Sequence, residues 1–394
     1  MKPYRLFFVI SLVFTLSWLG CSADRAPVSS GSEEIVPPAA KSAASIPGRY
    51  IVVLDNDVTD VPGIAAGLAR AHGAVPERIY RHAIKGFAVI LPDGAAAALA
   101  RRPGVKYVEL DQIVTIVGVR PDKGKPGGQP GGGGGTTDPP DPQVTPWGIT
   151  RVGGGNYSVS GTAWVIDTGI DLDHPDLNVD VGRSISFVTR GKNSPDDGHG
   201  HGTHVAGTIA AIDNQIDVIG VAAGASVVAV RVLDKSGSGF NSWVLAGIDY
   251  VANNALPGDV ANMSLGGSAS QALDDAVVAA AAGGINFALA AGNESDDANN
   301  HSPARANGPH IYTVSAIGEG DVFASFSNYG NPPIDYAAPG VSVLSTKKGG
   351  GTTTFSGTSM AAPHVAGLLL LGLPVNGGFA IGDPDGTPDP IAHR

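Results

Sequence analysis

Cysteine, positive charge and long apolar runs are all scarce in this sequence. Cys21 is the single cysteine, so no disulfide can form within the chain, and an exported form would depend on its core and on bound ions for stability. Lys and Arg number 25 against 36 Asp and Glu, which gives a formal net charge of -11. Such a surface repels phosphate backbones and anionic membranes, so the sequence argues against a nucleic-acid partner.

The apolar run near the N-terminus, residues 6–19, is shorter than the roughly 20 residues that a membrane-spanning helix needs. Two basic residues precede it and small residues follow, which is typical of an export signal over residues 1–21. The sequence WLGC, ending at Cys21, resembles a bacterial lipoprotein site, while ordinary cleavage after Ala23 fits equally well. We therefore expect an exported protein, either secreted or anchored to the cell envelope by a lipid on Cys21.

Composition divides the rest of the chain into four segments. Residues 22–46 are rich in Ser, Ala and Pro, which indicates a flexible tether. Residues 47–117 alternate strand and helix patterns and predict a small α+β domain. Gly and Pro dominate residues 118–142, so this segment is predicted to be a linker. Residues 143–394 alternate apolar strands with helices, which predicts an α/β fold with a parallel sheet covered by helices on both faces.

Three polar residues of the last segment form a candidate catalytic set. Ligand sites of such sheets lie at the carboxyl ends of the strands, and Asp167 directly follows the apolar run TAWVI. Ser359, in FSGTSMAAPHVAG, follows a predicted turn and should lie near a helix N-terminus, where developing negative charge is favoured. His201 belongs to DGHGHGTHVAG. Asp167 and Ser359 alone could each be a turn or capping residue, but the order Asp, His, Ser is that of subtilisin.

The same histidine cluster allows a metal-site alternative. Zinc needs three or four ligands, and His201 and His204 have the spacing to share a helix face with His199 or Asp197. The helix predicted to begin there is small and apolar, and the H-E-x-x-H pattern is absent from the sequence. We therefore favour proton transfer by His201, with His204 as a buried structural residue and His199 facing solvent.

The segments VIDTGID, HGTHVAG, NMSLGG, LAAGN and SGTSMAAPHVAG resemble the signature segments of the subtilase family of serine endopeptidases, in the family's order and closest to its proteinase K branch. The resemblance runs from about residue 147 to 371. GRYIVVL, KGFAVIL and PGVKYVELD resemble the propeptide, or inhibitor, domain of these enzymes. The resemblance implies a subtilisin-like fold and a zymogen in which Asp167 orients the base His201, Ser359 is the nucleophile and Asn293 is an oxyanion donor.

The resemblance also implies a substrate cleft bounded by three segments. Small residues there would let a peptide backbone approach and pair as an added strand, which favours broad cleavage after apolar or aromatic residues. Asn241 stands where proteinase K has an aromatic residue, which leaves the preference at the fourth residue before the cut open. The implied substrate-binding residues are Ser264, Leu265, Gly266, Ala290, Ala291, Gly292, Gly237 and Ser238.

Calcium is a further implication of the resemblance, through the carbonyls of Pro309 and Ile311 and the carboxylate of Asp335. No cofactor is expected for the chemistry itself. The family usually closes its core with a strand and a helix after the serine helix, whereas here a Gly- and Pro-rich tail runs to Arg394, so stability is in question. The run GDPDGTPDP within this tail is predicted to be a turn.

We expect a monomer that acts on polypeptides, is inhibited by its own propeptide, and is cut near residue 117 or within the linker. Two rival hypotheses are a catalytically silent relative that acts as a binding module and a metal-dependent hydrolase.

Overall fold

The computed structural model describes residues 45–117, 120–121, 142–155, 157–159 and 161–394. The predicted export signal with Cys21, most of the tether and most of the linker lie outside these residues.

The first described domain is the small α+β unit that the sequence predicts. Its antiparallel sheet has the order β4-β1-β3-β2, with two helices packed on one face. Because side chains alternate across a strand, Val52 and Leu54 face these helices, while Ile51 and Val53 face the larger domain. Its elements are β1 Ser45–Leu54, α1 Val61–Arg70, β2 Pro76–Tyr80, β3 Gly86–Ile90, α2 Asp93–Leu99 and β4 Val105–Ile116.

The second domain is built on a parallel sheet, which confirms the predicted α/β class. The sheet has the order β19-β20-β16-β15-β13-β11-β6-β9-β7, and the strands from β20 to β7 run parallel. No helix in the described ranges is long and apolar enough to cross a membrane. Its helices are α3 Trp147–Val152, α4 His201–Ala210, α5 Asn241–Asn254, α6 Gln271–Ala281 and α7 Thr358–Leu371, with 3-10 turns at Ala298–Asn300 and Glu319–Asp321. Its strands, after the short β5 Arg120–Pro121, are β6 Thr162–Asp167, β7 Asn178–Val179, β8 Ile185–Ser186, β9 Ser226–Arg231, β10 Ser238–Phe240, β11 Val260–Met263, β12 Leu265–Ser268, β13 Asn286–Ala290, β14 His301–Ser302, β15 Ile311–Ile317, β16 Ile334–Pro339, β17 Val343–Thr346, β18 Thr352–Ser356, β19 Val375–Phe379 and β20 Pro390–His393.

Alternate residues of the central strand β6 face two different helix layers. Trp164 and Ile166 pack with residues of α5 and α6, whereas Ala163 and Val165 pack with residues of α4 and α7. Burial on both faces explains why the strand is apolar throughout. Asp167 ends β6, and its position at the carboxyl edge of the sheet follows from this arrangement.

The first domain docks on α5 and α6 of the second through three carboxylates. Asp111 accepts hydrogen bonds from Ser242 N (3.0 Å) and Ser242 Oγ (2.5 Å) at the start of α5. Glu109 accepts from Ser270 Oγ (2.5 Å), at the start of α6. In the opposite direction, Asp249 of α5 accepts from the backbone N–H groups of residues 81–83 at 2.6 to 3.1 Å. Carboxylates at helix N-termini satisfy unpaired N–H groups and the helix dipole.

The C-terminal tail differs from the sequence expectation because it forms strands and closes the sheet. β20 pairs parallel with β16 through Ala337 and Ile391, and β19 pairs antiparallel with β20. The carboxylate of Asp389 is buried and accepts hydrogen bonds from Ser315 Oγ (2.5 Å) and Asn331 Nδ2 (2.9 Å). The tail therefore replaces the expected closing elements with a hairpin.

The predicted linker also contains a paired segment. Arg120 and Pro121 form β5, which pairs antiparallel with β18 in the three-stranded sheet β17-β18-β5. The Gly- and Pro-rich composition did not indicate this strand.

Candidate active site

Asp167 and His201 form a buried pair at the carboxyl edge of the sheet. His201 is the first residue of α4, and its Nδ1 lies 2.8 Å from Asp167 Oδ1 and 2.9 Å from Oδ2. Both side chains are fully shielded from solvent. Asp167 Oδ1 also accepts a hydrogen bond from Thr168 N at 2.6 Å. A carboxylate in this position holds the proton on Nδ1 and leaves Nε2 free to accept one.

A residue that sequence reasoning underestimated, Asp197, organises the start of α4. Its Oδ1 accepts hydrogen bonds from the N–H groups of His199 and Gly200, both at 2.8 Å. Its Oδ2 accepts from Thr203 N (2.9 Å) and Thr203 Oγ1 (2.6 Å). The sequence indicates Asp197 only as a candidate metal ligand. An acidic residue just before a helix is the signal that could have identified it as a cap.

Close packing fixes the residue after His201 as glycine. A Cβ at Gly202 would lie 2.0 Å from the carbonyl oxygen of Gly169, just beyond β6. Gly202 N donates to Thr168 Oγ1 at 2.9 Å, so the beginning of α4 is bound directly to the residue after Asp167. This close approach brings His201 to the end of β6.

Ser359 is the second residue of α7, and its side chain is fully buried. Its Oγ donates to Ser264 O at 3.0 Å and also lies 3.3 Å from Val117 O. His201 Nε2 has no hydrogen-bond partner among the described residues, so the serine hydroxyl is not bonded to the imidazole in this state. The hydroxyl of Ser359 therefore has to leave Ser264 O before it can transfer its proton to Nε2 of His201.

The carbonyl of Val117 lies between two donors of the second domain. Asn293 Nδ2 donates to Val117 O at 3.0 Å, and Ser359 Oγ is the second contact. Asn293 Oδ1 accepts hydrogen bonds from Thr358 N (2.9 Å) and Thr358 Oγ1 (3.0 Å), which orient the amide. The chain's own carbonyl is therefore polarised at the position where an acyl group would react.

The segment before Val117 is bound as an added strand between two strands of the second domain. On one side, Leu265 and Gly266 of β12 pair with Ile116 and Thr115. On the other side, Ser238, Gly239 and Phe240 of β10 pair with Thr115, Val114 and Ile113. Gly237 O also accepts a hydrogen bond from Ile116 N at 2.9 Å. Two of the three segments proposed for substrate binding thus contact this strand.

The third proposed segment follows β13, and its residues have different surroundings. Ala290 shares an apolar cluster with Val117, whereas Ala291 packs with Ala298, Ala304 and Ile334. Gly292 N donates to Thr358 Oγ1 at 3.1 Å. Ala291 and Gly292 therefore support the site through neighbouring groups.

The pocket for the fourth residue before the candidate cut is apolar. Val114 is fully buried in the cluster that also contains Leu233, Phe240 and Leu265. Asn241, which stands where an aromatic residue was expected at this pocket, begins α5 and is 2% exposed. Its Nδ2 has no hydrogen-bond partner among the described residues.

The other two histidines of the cluster lie in different environments. His199 is exposed, whereas His204 is fully buried and its Nε2 lies 3.1 Å from Val343 O. Burial lowers the pKa of His204 to about 3, so this imidazole stays neutral at ordinary pH. In the part of the chain that the structure describes, no group of three His, Cys, Asp or Glu side chains is arranged to hold a metal ion.

Two sets of residues in the described part of the chain bear on the expected calcium ion. Burial raises the pKa of Asp335 to about 6, and its carboxylate accepts a hydrogen bond from Thr313 N at 2.9 Å. A second set, which sequence reasoning missed, surrounds Gln143. Its Nε2 donates hydrogen bonds to Ile212 O (2.6 Å), Val218 O (2.9 Å) and Asn214 Oδ1 (3.4 Å).

A carboxylate belongs to this second set. Asp176 Oδ1 accepts a hydrogen bond from Asn214 Nδ2 at 2.7 Å, and burial raises the pKa of Asp176 to about 6. Backbone carbonyls, amide oxygens and a carboxylate are the ligands that calcium prefers. A pattern of Asn, Gln and backbone carbonyls is difficult to recognise in a sequence.

Comparisons with known proteins identify similar chains for both domains. Residues 163–379 match the profile described as the subtilase family, and residues 49–117 match that of peptidase inhibitor I9. The chain is 36% identical over 384 residues to an extracellular serine proteinase of a Thermus species, covering 89% of this chain and 86% of that protein. It is 36% identical over 339 residues to a cuticle-degrading protease of Metarhizium anisopliae, covering 82% of this chain and 79% of that protein. The crystal structure of a cold-adapted subtilisin-like serine proteinase is similar with a TM-score of 0.53 and 41% identity, over 63% of this chain and 97% of that one.

Proposed function

The chain belongs to the subtilase family and is a serine endopeptidase with its own inhibitor domain, and from this premise we propose that it cuts itself after Val117. The observation that carries the proposal is the contact of Val117 O with Asn293 Nδ2 (3.0 Å) and Ser359 Oγ (3.3 Å). The bond to be cut is then the one between Val117 and Gly118.

In the proposed reaction, the hydroxyl of Ser359 turns from Ser264 O towards the free Nε2 of His201, which takes its proton as Oγ attacks the carbonyl carbon of Val117. Asn293 Nδ2 stabilises the negative oxygen of the tetrahedral intermediate. His201 returns the proton to the leaving amine of Gly118, and water then hydrolyses the acyl-enzyme by the reverse sequence. Asp167 stabilises the imidazolium in both halves of the reaction.

The bound segment also supports a substrate preference. Val117 and Val114 are 4% and 0% exposed, whereas Thr115, between them, is exposed. We expect substrates with apolar residues at the first and fourth positions before the cut. This expectation agrees with a broad preference for apolar residues. The pocket around Val114 would then bind an aliphatic side chain at the fourth position before the cut.

Intact mass and fluorophosphonate labelling test the catalytic assignment. The wild type should shorten, give a new N-terminus at Gly118 and take up the label, whereas Ser359→Ala should stay full length and unlabelled. Ser325→Ala, which changes an exposed serine, is the matched control and should behave as the wild type. Processing and labelling that persist in Ser359→Ala would reject the assignment.

We further propose export and a structural calcium ion. Export is supported by the export-signal pattern of residues 1–21 and by the similarity to a relative named an extracellular serine proteinase. For calcium, Gln143, Asp176 and Asn214 together with the carbonyls of Ile212 and Val218 offer more oxygen ligands than Pro309, Ile311 and Asp335. Chelation should lower the melting temperature of the wild type, and Asp176→Asn should remove more of this effect than Asp335→Asn. Equal melting curves with and without chelator would reject bound calcium.

A further inference from the structure

The start of α5 binds a carboxylate that lies on the strand leading to the candidate cut. Asp111 of β4 is the seventh residue before this cut, and its side chain is fully buried. Its Oδ1 accepts a hydrogen bond from Ser242 N (3.0 Å), and its Oδ2 accepts one from Ser242 Oγ (2.5 Å). Both donors belong to the catalytic domain, so they remain there when the inhibitor domain dissociates.

The residues between Asp111 and the bound segment before Val117 follow an extended path along the catalytic domain. Ile113, the fifth residue before the cut, pairs with Phe240 of β10. Gln112, the sixth, donates a hydrogen bond from Nε2 to Ala269 O at 3.2 Å. A substrate that follows the same path therefore brings its seventh residue to the start of α5.

Positive charge remains at this place after the inhibitor domain has left. Two guanidinium groups lie near the ring of Phe240, the residue before α5, with their Cζ atoms 4.8 Å (Arg49) and 4.3 Å (Arg190) from its centroid. Arg49 belongs to the inhibitor domain, and its Nε donates to Asp111 Oδ2 at 2.8 Å. Arg190 belongs to the catalytic domain, and its Cζ lies 5.8 Å from the ring centroid of Trp243 in α5. Dissociation therefore removes Asp111 together with Arg49 and leaves Arg190 beside the helix N-terminus.

A further donor lies at the same helix start. Asn241 is 2% exposed, and its Nδ2 has no hydrogen-bond partner among the described residues. The first N–H groups of a helix also lack partners within the helix, and the helix dipole favours a negative charge there. Ser242, the Asn241 amide and Arg190 thus supply donors and positive charge at a place where the structure holds a carboxylate.

We propose that, in the self-processed enzyme, the start of α5 binds an acidic side chain of the substrate and so favours polypeptides with aspartate at the seventh residue before the cut. This inference rests on the proposed cut after Val117. The recognised group is a carboxylate that accepts hydrogen bonds from Ser242 beside the guanidinium of Arg190. This preference adds to the apolar residues expected at the first and fourth positions.

Peptides that copy the inhibitor strand test the proposal with the self-processed protein, freed of its inhibitor domain. One peptide carries Asp-Gln-Ile-Val-Thr-Ile-Val before the cut and Gly-Val-Arg after it, with both ends blocked, and its partner has Asn in place of Asp. We expect kcat/KM to be about fivefold higher for the Asp peptide, mainly through a lower KM, since one net hydrogen bond is worth roughly 1 kcal/mol. Equal kcat/KM values would overturn the inference and leave the proposed function intact. Absence of Ser359-dependent cleavage of both peptides would instead reject the proposed function.

The position of the acid is a second test. Because Gln112 donates to a carbonyl oxygen, Glu in place of Gln at the sixth residue would bring a carboxylate against Ala269 O and should not raise kcat/KM. An equal rise from an acid at the sixth or the seventh residue would indicate general attraction to positive charge. That outcome would overturn the assignment to the start of α5.

Serines at two helix starts give a matched pair of variants. Ser242→Ala removes the hydroxyl donor and should lower the Asp-to-Asn ratio of kcat/KM values by about twofold. Ser270→Ala makes the same change at the start of α6, where the serine hydroxyl donates to Glu109, and should keep the wild-type ratio. Arg190→Gln should also lower the ratio, because it removes the positive charge. A wild-type ratio in both Ser242→Ala and Arg190→Gln would count against the site.

Discussion

The inhibitor domain and the C-terminal tail both add strands to the catalytic domain, but they are attached to it in different ways. The inhibitor domain has its own apolar cluster, which includes Tyr50, Phe87 and Leu99. The buried residues of the tail, such as Ile391 and Ala392, instead complete clusters formed mainly by catalytic-domain residues. We therefore expect the inhibitor domain to dissociate as a folded unit, whereas loss of the tail would expose the edge of the parallel sheet at β16.

The largest expected effect comes from deleting residues 373–394 in the Ser359→Ala background, which prevents self-digestion. The deletion removes the partner of β16 and the buried side chains of Ile391, Ala380 and Ala392, of which Ile391 alone is worth about 1.5 to 3 kcal/mol. It also removes the buried acceptor of Ser315 and Asn331, so we expect the melting temperature, followed by circular dichroism, to fall by about 10 °C or more. Leu373→Ser, at a 73% exposed position, is the control and should melt normally. A truncated protein that melts within a few degrees of the control would contradict the conclusion that the tail is part of the core of the catalytic domain.

The next effect concerns release of the inhibitor domain. Asp249→Ala removes the acceptor for three backbone N–H groups of residues 81–83. Hydrogen bonds to charged groups are worth about 1.5 to 3 kcal/mol, so the inhibitor domain should bind roughly 10- to 100-fold more weakly. Activity after self-cleavage should therefore appear faster than in the wild type, and Asp249→Asn should show an intermediate effect. Unchanged release would mean that apolar packing alone holds the two domains together.

An effect of similar size is expected from pH at the same interface. Burial raises the pKa of Glu109 to about 7 in the bound state, from 4.5 for an exposed glutamate. Because protonation favours the bound state, binding is tightest below about pH 4.5 and weakens as pH rises through 7. Titration of the Ser359→Ala catalytic domain with the inhibitor domain should show a loss of affinity of roughly 50- to 100-fold from pH 5 to 8. Glu109→Gln should flatten this profile, and a profile of opposite slope would refute the assignment.

The smallest effect is expected in the tail. Burial raises the pKa of Asp389 to about 6, above the 3.8 of an exposed aspartate. Its protonated form therefore adds stability below about pH 4, and this contribution is lost as pH rises through 6. Asp389→Asn should remove this pH dependence and be more stable than the wild type at pH 8 by about 3 kcal/mol at most. The measurement is the melting temperature against pH in the Ser359→Ala background, and parallel curves for both proteins would contradict it.

The sequence was sufficient to predict the fold class and the place of Asp167 at a strand end, because apolar strands and a polar residue at a strand end follow simple rules of burial. The pairing of Asp167 with His201, which the structure shows, was implied by the resemblance to the subtilase family. It could not predict that the hydroxyl of Ser359 donates a hydrogen bond to Ser264 O, because the side-chain rotamer of the serine depends on what occupies the cleft. The tail strands and β5 were also missed. Gly- and Pro-rich segments have low strand propensity, and pairing with a neighbouring strand overrides it.

The position of Gln143 has a consequence for the timing of the first cut. Gln143 is already bound to residues of the loop after α4 while Val117 lies at Ser359, although both belong to one continuous chain. The bond to be cut is therefore supplied at a fixed effective concentration that does not depend on how much protein is present. Self-cleavage should follow first-order kinetics with a half-life unchanged by dilution. Each molecule is then activated at a rate that does not depend on contact with another molecule.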